Sequence, residues 1–216
     1  MRAMAWGEVP LLVAAVEGLL QRTLPPEELD RAWAELRTGG SYDLNQLAET
    51  LTAAGYSRCD QVEGVGQFAL RGGILDVYSP GMEQPVRAEF FGDELDAMGL
   101  FDPATQRRTE NVERAVLLPA AEALPHLAPG GTAGLAARLE KLAAGAEKAG
   151  RHELVQTLRQ DREALEQGRS FPATDRYLAL IYPQLATAAD YLPPDACVLF
   201  SESSRVGERA KTYQWQ

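Results

Sequence analysis

The stretch Gly66-Gln-Phe-Ala-Leu-Arg-Gly-Gly-Ile-Leu-Asp-Val-Tyr78, followed after Ser79-Pro80-Gly81 by Pro85-Val-Arg-Ala-Glu-Phe-Phe-Gly-Asp-Glu94, decides the fold class. Phe68 to Tyr78 and Val86 to Phe101 are rich in β-formers, as is Tyr56 to Val62 before them, and Ser79-Pro80-Gly81 turns the second run into the third. Side chains alternate along a strand, so Val86, Ala88 and Phe90 fall on one face, while Arg87, Glu89 and Phe91 fall on the other. One face is core and the other is available.

Immediately upstream, Tyr42 to Gly55 reads as a helix. Asp43 caps it, Gln46 follows three residues later, and Leu44, Leu47, Ala48 and Leu51 make one apolar stripe that Gly55 closes. Helix and sheet together predict an α+β unit over residues 30–118 with a small antiparallel sheet. Outside it, Pro10 to Val16 reads as a buried strand running into a helix that Pro25-Pro26 ends. After Pro119 the composition turns to alanine-rich helix, with Leu135, Leu139 and Leu142 on one stripe and Leu154, Val155, Leu158 and Leu165 on a second. A third helical stretch, Tyr177 to Ala189, leads to a short apolar strand, Ala196 to Phe200. The expected fold class is α/β: a partial parallel-sheet α/β domain, residues 1–29 and 119–216, interrupted by the α+β domain. The first and last strands are expected in one sheet, both truncated from something larger.

The composition is ordinary for a globular chain, with 45% hydrophobic and 24% charged residues among 216. Its longest apolar run, Leu11 to Val16, is far short of the roughly 20 residues of a bilayer helix. No leader precedes it, so a soluble cytoplasmic location without membrane contact is expected. Cys59 and Cys197 stand far apart, and neither His126 nor His152 has neighbours at ligand spacing, which excludes a disulfide framework and disfavours a metal. Of the net charge of −10, residues 30–118 carry −7, from 8 basic and 15 acidic side chains. Such a field repels a phosphate backbone, and direct nucleic-acid binding is not expected.

The familiar catalytic patterns fail on context. Gly64-x-Gly66-x-x-Ala69 matches a dinucleotide fingerprint as a string, but β-formers follow it where a helix must open. The chain has no phosphate loop with its lysine, and neither a nucleophile elbow nor a Ser-His-Asp set. Glu89, Asp93 and Glu94 read as solvated carboxylates around a bend rather than a glycosidase pair. No cofactor is implied. What remains is an arginine set, Arg58, Arg71 and Arg87, with Glu89 beside the last and Phe91 as an aromatic anchor. Arginine and aromatic residues are those that dominate binding energy at protein interfaces.

These same residues carry a resemblance. Gly55-Tyr-Ser-Arg-Cys-Asp-Gln-Val62, the two strand segments quoted above, and Phe101-Asp-Pro-Ala-Thr-Gln-Arg107 resemble the UvrB homology module, shared by the excision-repair protein UvrB and the bacterial transcription-repair coupling factors. The wording at Asp60-Gln-Val62 and Thr105-Gln-Arg107 is similar to the coupling-factor branch. Ser201-Glu-Ser-Ser204 stands where UvrB carries a Walker B aspartate, which removes the carboxylate that would hold Mg²⁺. The resemblance implies a non-catalytic docking module whose inserted domain binds UvrA, with Arg58, Arg71, Arg87 and Glu89 at the family's contact positions. RNA polymerase and DNA would be reached only through other domains of a parent protein. One departure is Ala69, where UvrB has an arginine. Two alternatives remain: a fragment of UvrB or a related helicase that handles ATP and damaged DNA, and a spacer that binds nothing tightly.

Overall fold

A computed structural model describes residues 11–169, 171 and 173–214. In chain order the elements are α1 (Val16–Leu20), β1 (Arg22–Thr23), α2 (Pro26–Ala32), β2 (Ala34–Arg37), α3 (Leu44–Ala53), β3 (Ser57–Arg58), β4 (Gln67–Arg71) and β5 (Ile74–Val77). There follow β6 (Val86–Phe91), β7 (Glu94–Phe101), β8 (Arg108–Asn111), β9 (Arg114–Leu117), α4 (Gly131–Lys148), α5 (His152–Glu166), α6 (Leu178–Ile181), β10 (Ala186–Thr187) and α7 (Ser203–Gln214).

The central sheet has six strands in the order β3-β4-β5-β6-β7-β8, antiparallel apart from the β3/β4 pair. The α/β class holds, with a finer grain than the sequence pattern shows. The run Phe68 to Tyr78 is a hairpin and not one strand, because Gly72 adopts φ +58° and reverses the chain at Gly72-Gly73. The run Val86 to Phe101 is likewise two strands, joined at Gly92-Asp93, where Gly92 has φ +64°. Tyr56 to Val62 supplies only the two residues of β3.

One face of the sheet carries Phe68, Leu75, Val77, Val86, Ala88, Leu95 and Met98, all buried, and packs on Leu47 and Leu51 of α3. The cap of α3 is as expected, with Asp43 Oδ1 accepting from Asn45 N at 2.8 Å and Gln46 N at 3.0 Å. Beside this core, β2 and β9 form a separate antiparallel ladder of four residue pairs, Ala34↔Leu117 to Arg37↔Arg114. The chain therefore arrives at the sheet and leaves it through hydrogen-bonded neighbours.

A second apolar cluster joins Leu24 and Leu29 to Leu124, Leu135, Leu139, Leu158, Ile181, Tyr182 and Tyr191. It ties the stretch before β2 to the helices after β9. Two tyrosines lock it: Tyr191 Oη donates to Leu24 O at 2.6 Å and Tyr182 Oη to Glu122 O at 2.7 Å.

The chain ends depart from expectation. Pro10 lies outside the described residues. Residues 11–15 make no ladder, and Leu11, Leu12 and Val13 are exposed. Residues 196–200 form no strand either, with Val198, Leu199 and Phe200 exposed. Pairing between the two halves comes instead from the short antiparallel β1/β10 contact. Pro25-Pro26 does not end a helix but opens α2, since a proline at the first helical position gives up only an N–H that has no partner there. The stretch Tyr177 to Ala189 is interrupted, with α6 covering only four residues. Among the described residues no helix is long and apolar enough to cross a membrane, and no group of three or more His, Cys, Asp or Glu is placed to hold a metal ion.

Gly55 sits where α3 turns into β3, at φ +88°, and a Cβ there would lie 2.6 Å from Ala121 Cβ. Gly39 has a similar φ of +79° but open space around it. Gly39→Ala is therefore expected to lower the unfolding free energy by about 1–2 kcal/mol from the backbone alone. Gly55→Ala adds overpacking of about 1–3 kcal/mol. Urea unfolding of both variants checks the difference, and equal losses would show that the contact with Ala121 is unimportant.

Candidate docking surface

The outer face of the sheet is built around a buried carboxylate. Asp76, on β5, is 0% exposed, which is tolerable for a charge only with full hydrogen bonding. Register supplies it. Asp76 lies directly across from Arg87 on β6, and the guanidinium grips it as a fork, Nε to Oδ1 at 2.7 Å and Nη2 to Oδ2 at 2.8 Å. Arg71, on β4, adds Nη2 to the same Oδ2 at 2.8 Å.

Arg87 is fully engaged. Its Nη1 donates to Gln106 O at 3.4 Å and its Nη2 reaches Gln106 Oε1 at 3.3 Å. Its guanidinium carbon stands 4.7 Å from the centre of the Phe101 ring. Gln106 itself is pinned by Nε2 donating to Val62 O at 3.1 Å and Pro103 O at 2.7 Å, in a loop where it takes φ +61°. Hydrogen bonding to Asp76 pushes the already high Arg87 pKa further up. The Arg87 side chain is 21% exposed, whereas that of Arg71 is 53% exposed.

Of the residues the sequence singles out, Arg71, Arg87 and Glu89 come together on one face. Arg71, Ile74 and Glu89 lie in one cross-strand row. Glu89 is half-buried and paired by Oε1 with Arg108 Nη2 of β8 at 3.3 Å. Phe91 stands at the end of β6, 85% exposed. Arg58 is placed elsewhere. It aligns with Phe68, whose ring is in the core, so the register assigns Arg58 to the opposite face from Arg71. There it lines a cleft of about 990 Å³ together with Glu49, Leu70, His126, Arg169 and Phe171.

Two residues of the surface were missed from sequence. Asp76 had one legible signal, an isolated charge inside the apolar run Ile74-Leu-Asp-Val77. Arg108 had none, because its strand shows no apolar alternation and the register sets it across from Phe101, so that only its long side chain, crossing Gly99, reaches Glu89. The guanidinium of Arg108 lies over Gly99, where any Cβ would collide with Arg108 Nε. Ser201 and Glu202 fall in the turn before α7, with Glu202 paired to Arg205 at 2.7 Å.

Residues 34–122 match the family model of the UvrB interaction domain. The six-stranded sheet and its charged outer face lie within the matched residues. Over most of its length the chain is 34% identical to the transcription-repair-coupling factor of Bacillus subtilis (96% of this chain, 18% of that protein) and 32% identical to that of Staphylococcus haemolyticus (97% and 18%). It is 39% identical over 53% of its length to the factor of Myxococcus xanthus, covering 10% of that protein. The likeness to transcription-repair-coupling factors runs over almost the whole chain, and the chain spans less than a fifth of the length of these relatives.

The unequal roles of the two arginines are testable by stability. Arg87→Ala strips the fork from a buried carboxylate and is expected to lower the unfolding free energy by about 3–5 kcal/mol. Arg71→Ala, at a half-exposed end-on contact, should change it by about 1 kcal/mol or less. Denaturant melts of the two variants decide; equal losses would contradict the assignment.

Proposed function

We propose that the chain is a non-catalytic docking module of a transcription-repair coupling factor, and that residues 30–118 are its UvrA-binding unit, inserted between two parts of an α/β domain, 1–29 and 119–216. The parent protein, in the cytoplasm, would use it to bring UvrA to a stalled RNA polymerase for nucleotide excision repair. Polymerase and DNA would be engaged by other domains. The observation that carries this reading is the outward-facing mixed-charge row on the sheet of a UvrB interaction domain: Arg71 half exposed, Glu89 two strands along the same row, and Phe91 open to solvent.

The acidic balance of residues 30–118 supports a protein partner over a nucleic acid. Arg58, on the opposite face, contributes to the same partner only if UvrA wraps around the β3 edge. Ala69 is buried under Val62 and Phe101, so the arginine that UvrB has at this position has no room on this surface.

The test is calorimetry of the chain with purified UvrA. Arg71→Ala is expected to weaken binding at least tenfold, about 1.4 kcal/mol. Phe91→Ala should weaken it through loss of an aromatic contact. Raising ionic strength from 0.05 to 0.5 M, at which the screening length falls well below about 10 Å, should weaken it further. Salt-independent binding, indifferent to Arg71, would refute the surface.

A further inference from the structure

Asp76 touches no solvent, yet it governs the one side chain of the row best placed to meet a partner. Arg71 is held by a single nitrogen, Nη2, on an oxygen that already accepts from Arg87. Among the described residues no hydrogen bond or ion pair is made by its Nε or Nη1, and the side chain remains half exposed. A surface arginine without such a tether samples many rotamers, and fixing one on binding opposes association. Here the guanidinium is held beforehand by one contact, with donors left unused on a half-exposed side chain.

We infer that Asp76 is a positioning residue for docking: it holds Arg71 by one nitrogen so that the remaining edge of the guanidinium accepts a carboxylate of the partner. This rests on the docking reading above. The partner chemistry follows from the row. A carboxylate faces Arg71, an apolar group covers exposed Ile74, and a cationic group meets Glu89, which uses only Oε1 toward Arg108. Arg87 takes no part in the contact, since all three of its guanidinium nitrogens already donate within the chain. Asp76 also cancels one of the two arginine charges, so its neutralisation makes the face more positive while releasing Arg71. The consequences for association and dissociation therefore have opposite signs.

That opposition makes the proposal separable from a loss of folding. With the chain immobilised and purified UvrA flowing over it, Asp76→Asn is expected to raise the dissociation rate at least tenfold and to leave the association rate unchanged or higher. In an Arg71→Ala background the same substitution should change dissociation less than twofold. A merely structural defect would instead lower the apparent amount of active chain and leave the dissociation rate alone. Should Asp76→Asn fail to fold, Arg71→Lys replaces it. A compact ammonium lacks the fork to hold Asp76 with one edge and a partner carboxylate with another, so faster dissociation is expected. Wild-type kinetics for either variant, or an equal effect of Asp76→Asn with and without Arg71, overturns the positioning role. If Arg71→Ala itself leaves dissociation unchanged, the docking reading falls and takes this proposal with it.

Discussion

A carboxylate with no water around it must be surrounded by donors, and that requirement at Asp76 organises the outer half of the sheet. It fixes the β5/β6 register, because a slip by one residue would turn Asp76 into the apolar core and Arg87 away from it. It draws the Asp102 to Arg107 loop inward, since Arg87 completes its donors only on Gln106, and Gln106 in turn holds Val62. The cluster of Val62, Ala69 and Phe101 under that loop is the apolar complement of the same arrangement. Polar satisfaction on one side of the sheet and packing on the other therefore specify one alignment.

Local patterns in the sequence were legible wherever they depend on neighbours within a turn or two. The helix over Leu44–Ala53 with its Asp43 cap, the alternation in β6, and the stripes of α4 and α5 apart from Leu142 and Leu154, which are exposed, all follow from periodicity. Information that depends on pairing was not. Gly72-Gly73 and Gly92-Asp93 lie inside runs that read as continuous β-structure, and only a left-handed backbone reveals them as reversals. The ladder between β2 and β9 joins segments some eighty residues apart and carries no alternation strong enough to announce it. The apolar stretches at the chain ends read as strands because composition reports preference for burial, whereas strand formation needs a hydrogen-bonding neighbour.

The site shows the same division. Arginine content singled out the candidate residues, but period-two geometry could not say which face an edge strand of two residues presents. Arg58 went with the other arginines in sequence and stands apart from them in space. Similarly, Arg71 and Arg87, of equal rank in sequence, separate into a tethered cation and a structural one once their exposures and partners are known. Spacing along a chain ranks residue types; cross-strand contacts rank individual side chains.

The ladder between Ala34–Arg37 and Arg114–Leu117 has a consequence beyond stability. Because the two connections run side by side and are zipped together, the intervening polypeptide leaves and rejoins the rest of the chain at one place. A gene segment encoding such a loop-closed cassette can be grafted into an unrelated host at any tight surface turn, without requiring that the host's termini move. Selection could thus move the whole unit between proteins in one recombination event.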